Sequence, residues 1–247
     1  MSVATDTIRL DTNFESRRAE RIFYTGMTLL IVITVFGGFA KTFYLRGYFL
    51  PAPLPTLLVL HGIAFSSWIA LLLTQTSLIA AKRIDTHRKL GIAGGILATL
   101  MVIIGTLTGI VRAKVFDVPP GTSPLTFLTI PLGDMLVFGI LIAAGFYWRR
   151  RKAAHKTLMM LATISILPAA VARLPFDFIV QGGALAFFGL PDLLILPLLA
   201  FEYFFRGRVQ LVTILGALLL VVSHPLRFVV GNTQAWLTFA TWLTQWT

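Results

Sequence analysis

Four histidines are the residues of this chain with the widest chemistry, and they are spread over distant parts of the sequence. They are His61, His87, His155 and His224. A neutral imidazole can bind a metal ion, serve as an axial ligand of haem iron or carry a proton near neutral pH. The chain has no cysteine, which excludes disulfides, thiolate zinc sites, iron–sulfur clusters, covalent c-type haem and cysteine nucleophiles.

Acidic and basic side chains in otherwise apolar stretches form a second group of candidates. They are Asp134, Asp192, Arg173 and Arg227. Carboxylates beside histidines suit a zinc or iron ion with open positions. Carboxylates within a membrane can also carry a proton or a cation. We therefore treat all four residues as candidate catalytic residues.

The elements that must position these residues are membrane helices. Of the 247 residues, 57% are hydrophobic and 13% are charged, and the mean hydropathy is +0.85. A soluble domain carries about 25% charged and about 45–50% apolar residues, so this chain is too apolar for a water-solvated surface. Apolar blocks of about 20 residues, long enough to cross a bilayer, occur seven times. They are 22–44, 57–80, 90–112, 126–148, 157–176, 184–205 and 209–231.

The basic residues orient these blocks. The formal net charge is +11, and 15 of the 21 Lys and Arg residues lie before the first block or in alternate connections after it. The positive-inside rule then predicts an all-α integral membrane protein with a cytoplasmic N-terminus and an external C-terminus. Basic residues at the surface also suit anionic lipid headgroups. Nucleic acid is not an expected partner, because no basic domain stands clear of the membrane.

Three segments follow from this topology. Three tryptophans at helical spacing near the end of the chain predict a short helix in the outer interface. The segments are a polar cytoplasmic segment (1–21), a seven-helix membrane domain (22–231) and an interfacial aromatic tail (232–247).

The predicted topology sorts the candidates by membrane face. Ionisable side chains within a membrane mark functional sites by default. A cofactor, metal or substrate site is expected where such side chains share a cavity, and a structural network of ion pairs is the alternative. For a metal ion the candidate ligands are His61, Asp134, Asp192 and His224. The candidates expected in the outer third of the membrane are His61, Asp134, Arg173, Asp192, His224 and Arg227, and Asp177 follows Arg173 at i+4 at the end of the fifth helix.

The cytoplasmic starts of the third and fifth helices carry the other two histidines. If His87 and His155 face each other there, Arg88 and Lys156 beside them suit an anionic group such as a haem propionate or a lipid phosphate. Contact with lipid headgroups is the alternative. Gln75 is expected to make a hydrogen bond between helices.

Small residues form a stripe along the third helix, at spacings of three and four or their sum. This stripe predicts close packing against another helix, and close approach to a flat cofactor is the alternative. Its members are Gly91, Gly95, Ala98, Gly105 and Gly109.

Three sequence features carry a resemblance to known proteins. They are a histidine that opens one helix, an H-R-x-x-G motif at 87–91 and a basic turn before His155 and Lys156. These features resemble an uncharacterised family of bacterial multi-pass membrane proteins and, more distantly, cytochrome b561-type di-haem proteins. The resemblance implies that His61 is an outer haem ligand and that His87 and His155 are the inner pair. The outer partner would be His224, because the matching level of the fourth helix carries Asp134.

The expected function is therefore electron transfer across or within the membrane by a histidine-ligated b-type haem. The resemblance implies a membrane oxidoreductase in the bacterial inner (plasma) membrane, with a quinone or small reductant as partner. One alternative is a metal-dependent enzyme with a zinc or iron ion at the outer site, or an ion-coupled transporter there. A second alternative is a non-catalytic membrane subunit.

Overall fold

The computed structural model describes residues 2–50, 52–115, 118 and 122–246, with side chains from residue 18 onward. Met1 of the predicted polar segment, the side chains of residues 2–17 and Thr247 of the predicted tail lie outside the described residues. Within the described part of the chain, the backbone forms helices and turns and no strand. This confirms the prediction of an all-helical protein.

The helices follow one another with short connections. A π-helical turn, Ala40–Tyr44, extends the first helix, and a 3₁₀ turn, Ala113–Val115, extends the fourth. In chain order the α-helices are α1 (Ser2–Phe39), α2 (Arg46–Phe49), α3 (Thr56–Ala80), α4 (Ile84–Arg112), α5 (Pro124–Phe127), α6 (Thr129–Tyr147), α7 (Lys152–Ser165), α8 (Pro168–Val171), α9 (Asp177–Asp192), α10 (Ile195–Arg206), α11 (Leu211–Gly231) and α12 (Gln234–Thr244).

Seven helical spans among the described residues are long and apolar enough to cross a membrane, which confirms the predicted number. Several spans begin earlier than the apolar blocks, because polar residues form the first turn of the helix. The spans are Arg18–Tyr44, Thr56–Ala80, Ile84–Val115, Pro124–Tyr147, Lys152–Val171, Asp177–Arg206 and Leu211–Gly231.

The fifth span lies at the centre of the bundle. Leu158, Leu161 and Ile164 of α7 are almost completely buried. Helix α7 packs against α6 and α11, α6 also packs against α4, and α3 packs between α1 and α4. The second span and the seventh span therefore pack against different helices.

The small residues of α4 pack against α6. A side chain at Gly105 would collide with Met135, and one at Gly109 would press on Pro131. This confirms the prediction of close helix packing, because α6 fills the space that these glycines leave.

Two of the spans are interrupted beside a proline, and another continues through one. The fifth breaks between α7 and α8 before Pro168, and the sixth breaks between α9 and α10 just after Pro191. Helix α11 continues through Pro225. Proline has no N–H, so each interruption removes a backbone hydrogen bond from the helix. The sequence predicts unbroken spans here, whereas the structure contains breaks at particular depths.

The predicted helix of the aromatic tail is present as α12. The Trp236 indole N–H donates a hydrogen bond to the Leu125 carbonyl over 2.8 Å, and Ala240 is fully buried. Trp242 and Trp246 remain exposed. One face of α12 is thus docked on the bundle and the other carries aromatic side chains outward.

Candidate functional site: two polar clusters and a histidine pair

A buried ion pair joins the fourth and seventh spans. The Arg227 guanidinium donates through Nη1 to Asp134 Oδ1 over 2.5 Å, and its Nη2 donates to Ser223 Oγ over 3.3 Å. Arg227 and Asp134 are 5% and 8% exposed. Gly133 makes the approach possible, because a Cβ there would lie 2.5 Å from Arg227 Nε.

A second pair joins the sixth and seventh spans. His224 Nδ1 lies 3.1 Å from Asp192 Oδ2. The carboxylate accepts this bond, so Nδ1 carries a proton. The Phe188 ring stacks on the imidazole at 4.2 Å, and the Arg227 guanidinium lies 5.5 Å from the same ring.

These two pairs form one group, which we call the Asp134 cluster (Asp134, Asp192, His224 and Arg227). Three of its buried polar atoms have no hydrogen-bond partner among the described residues: Asp192 Oδ1, His224 Nε2 and Arg227 Nε. Buried polar atoms are normally paired, so these atoms require an explanation. Four of the six candidates predicted for the outer third are thus brought together.

The other two candidates lie elsewhere. His61 stacks on Phe65 at 4.1 Å, and its buried Nδ1 has no partner among the described residues. Arg173 donates to the Ala169 carbonyl and lies 4.9 Å from the Phe39 ring of the first span. The second span packs against the first and third, so the contacts of His61 are separate from those of His224.

A metal centre gains no support from this arrangement. Within the described part of the chain, no group of three or more His, Asp or Glu side chains is placed to hold a metal ion. The predicted set of His61, Asp134, Asp192 and His224 is divided, because His61 is positioned by a helix on another side of the bundle.

The second site is the histidine pair, His87 and His155, at the starts of α4 and α7. Their ring centroids are 6.4 Å apart and their planes are nearly perpendicular, at 83°. His155 Nδ1 donates to the Gly145 carbonyl over 2.9 Å. Gln75 Nε2 donates to the His87 carbonyl over 3.2 Å, which confirms the predicted bond between helices. Two histidines that are 68 residues apart in the sequence are therefore neighbours.

Lys156 is not available to an anion beside this pair. Its ammonium lies 2.6 Å from Glu20 Oε1, and Arg206 Nη2 contacts the same oxygen at 2.6 Å. Arg206 also donates to Glu202 Oε1 over 3.0 Å. The structure thus pairs Lys156 with a glutamate from the first span, and Arg88 remains an exposed basic residue beside the histidine pair.

Glu202 is a functional candidate that sequence analysis missed. It is 1% exposed, and it accepts five hydrogen bonds, all shorter than 3.1 Å. The donors are Thr157 Oγ1, Arg206 Nη1, the Gln210 backbone N–H, Gln210 Nε2 and Thr213 Oγ1. We call Glu20, Lys156, Glu202 and Arg206 the Glu202 cluster. It ties the first, fifth, sixth and seventh spans together at the end that carries His155.

The chain was compared with known proteins at three levels. It matches no family model, no curated protein and no solved structure.

Proposed function

We propose that this chain is a membrane electron-transfer protein in which His87 and His155 ligate one b-type haem. The distance between the two rings carries the proposal. Two imidazoles on opposite sides of one metal ion have centroids about 6 Å apart, because a metal–nitrogen bond is about 2.0 Å and the centroid lies about 1.1 Å behind the nitrogen. The observed separation of 6.4 Å fits that requirement.

The surroundings of the pair also suit ligand histidines. The bond from His155 Nδ1 to the Gly145 carbonyl fixes the ring and leaves the Nε2 lone pair for a ligand bond. His87 Nδ1 is buried with no partner among the described residues. A Cβ on Gly91, one turn after His87, would meet only Gln75 Nε2 at 3.8 Å, so the α4 surface carries no bulky group there.

A haem held by two histidines supplies reversible one-electron transfer. In this chain His87 and His155 would hold it, and the Gly145 carbonyl would orient one of them. Arg88 and Lys89 are exposed beside His87 and are placed to attract anionic propionates or an acidic reductant. A quinol or a small reductant is the partner class that suits this role.

The orientation in the membrane is part of the same proposal. The positive-inside bias favours a cytoplasmic N-terminus, with the histidine pair and the Glu202 cluster on the cytoplasmic side of a bacterial inner membrane. The exposed Trp242 of α12 and Trp246, just after that helix, then lie at the outer interface, where indole rings are stable. Anionic headgroups are the expected lipid contacts of the basic connections.

An absorption spectrum of the purified protein tests the proposal. The chain is expressed with haem supplementation, and the Soret and α bands are recorded in the oxidised and dithionite-reduced states. The wild type is expected to show a six-coordinate low-spin haem. His87→Ala and His155→Ala are expected to lose that spectrum, and added imidazole is expected to restore it in His155→Gly.

His61→Ala is the matched control, because His61 is also a half-buried histidine with an unpartnered ring nitrogen. It is expected to keep the low-spin spectrum of the histidine pair. A wild type without Soret absorbance would refute the proposal and favour a non-catalytic membrane subunit. A spectrum that survives His87→Ala and His155→Ala would refute the assigned ligands.

A further inference from the structure

The side-chain amide of Gln75 lies against the turn of α4 that carries His87. Its Nε2 donates to the His87 carbonyl over 3.2 Å, and a Cβ on Gly91 would lie 3.8 Å from the same nitrogen. Residues four apart share one face of a helix. The amide from the second span therefore covers the face of α4 on which His87 and Gly91 both lie.

The main chain of Gln75 also meets the His87 ring. The Gln75 backbone carbonyl is close enough to the imidazole to interact with it, although His87 Nδ1 makes no hydrogen bond among the described residues. Each of the two residues thus reaches the other with its side chain. Rotation about side-chain bonds can therefore change which of their polar atoms meet, while the helices stay in place.

Two buried atoms at this contact lack a hydrogen-bond partner among the described residues. They are His87 Nδ1 and Gln75 Oε1. An imidazole Nδ1 that carries the proton is a donor, and an amide oxygen is an acceptor with two lone pairs. Buried polar atoms are normally paired, and each of these atoms supplies what the other lacks.

The other histidine of the pair already has the bond that His87 lacks. His155 Nδ1 donates to the carbonyl of Gly145, near the end of the preceding helix α6. Such a bond holds the proton on Nδ1, fixes the direction of the ring and makes the imidazole a stronger electron donor at Nε2. Gln75 lies near the end of α3, the helix that precedes His87.

We propose that Gln75 Oε1 accepts the Nδ1 proton of His87, which makes Gln75 the positioning residue of that ring. The importance of this bond for haem rests on the proposed function, in which His87 is a ligand. Gln75 then sets the basicity of His87, and a more basic ligand lowers the reduction potential because it favours the oxidised iron. The backbone carbonyl of Gln75 is the competing acceptor.

Nuclear magnetic resonance of the ¹⁵N-histidine-labelled protein in detergent, in the reduced diamagnetic state, tests the proposal. The Nδ1–H signal of His87 is assigned with His87→Ala, and the signal of His155 is the internal reference. Gln75→Met removes the donor and the acceptor of the amide and is expected to abolish the His87 signal. Gln75→Glu removes the donor but keeps an acceptor and is expected to retain it. Equal effects of the two variants would overturn the proposal, because both lose the bond to the His87 carbonyl.

The midpoint potential of the haem gives a second readout, which a purely structural bond would not move. Loss of an outer-shell partner typically changes metal affinity about 10–100-fold. A tenfold greater preference for the reduced iron raises a one-electron potential by about 59 mV, and we expect at least this rise in Gln75→Met. Thr74→Val is the matched control, because Thr74 is exposed and bonds to the Ala70 carbonyl of its own helix. Equal potentials in the wild type and Gln75→Met would overturn the proposed role.

A measurement on the wild type covers variants that fail to fold. Scalar coupling across the hydrogen bond is expected between His87 Nδ1 and the side-chain carbonyl carbon of Gln75. Coupling to a backbone carbonyl carbon instead, or no coupling, would overturn the proposal. The same measurement can be made on haem-free protein, so a chain that binds no haem would refute the proposed function while the acceptor of His87 is still identified.

Discussion

Removing Arg227 from its ion pair with Asp134 should lower the free energy of unfolding more than removing Asp134 does. The paired atoms are 2.5 Å apart, and both side chains are buried. With charge centres about 4 Å apart and an effective dielectric constant of about 20, the attraction is about 4 kcal/mol. Removing one partner of a buried pair typically costs about 3–5 kcal/mol, because the other charge is left without a counter-charge.

The asymmetry comes from Asp192. Arg227→Gln leaves two carboxylates and no cation, so its cost is expected at the upper end, about 5 kcal/mol. Asp134→Asn leaves Arg227 with Asp192 as a nearby counter-charge, so its cost is expected at the lower end, about 3 kcal/mol. The double variant restores the net charge of the wild-type cluster and should be less damaging than Arg227→Gln alone, with a coupling of about 1–3 kcal/mol.

The assay is unfolding by sodium dodecyl sulfate in mixed micelles, followed by far-UV circular dichroism, which gives the free energy of unfolding. Asp177→Asn removes an exposed carboxylate and should leave that free energy unchanged within error. Equal costs for the two single variants would refute the charge argument. Additive costs in the double variant would show that Arg227 and Asp134 are not energetically coupled.

Two further variants test the packing of the bundle. Glu202→Gln places an amide N–H₂ against donors, so it is expected to lower the free energy of unfolding by about 1.5–3 kcal/mol in the same assay. Glu20→Gln, at a more exposed position, should lower that free energy less. The reverse order would contradict the assignment of Glu202 as the central acceptor. Gly38→Ala would place its Cβ against the Ala170 carbonyl, and such overpacking costs about 1–3 kcal/mol. Gly37→Ala is the control for the thermal midpoint, because its Cβ would meet Leu174 at an ordinary 3.4 Å; equal shifts would contradict the close approach at Gly38.

The number of spans could be predicted from the sequence because it depends on length and composition alone. The breaks could not, because a proline in an apolar block is compatible with one continuous helix, as at Pro225, or with two separate helices, as at Pro191. Asp192 lies at such a break, which the apolar pattern of the block does not reveal. The glycine stripe predicted close helix packing, but it did not show that α6 is the helix that packs there.

The grouping of the polar residues depended on helix neighbours, which a single sequence does not give. His61 and His224 lie at similar predicted depths, yet the second span packs against the first and third. Glu202 was not among the predicted candidates, most of which lay in the outer third of the membrane. Its signal was present, since an acidic residue inside an apolar block is followed by Arg206 at i+4.

The two polar clusters differ in how completely their polar atoms are paired. The Glu202 cluster contains two carboxylates and two cations, and both oxygens of Glu202 accept hydrogen bonds. It is neutral and satisfied, so binding a further ligand would require existing bonds to break. The Asp134 cluster is less completely paired, because Asp192 Oδ1, His224 Nε2 and Arg227 Nε are buried without a hydrogen-bond partner among the described residues. Buried polar atoms without partners are costly, so this cluster stabilises the bundle less than its two bonded pairs alone would suggest.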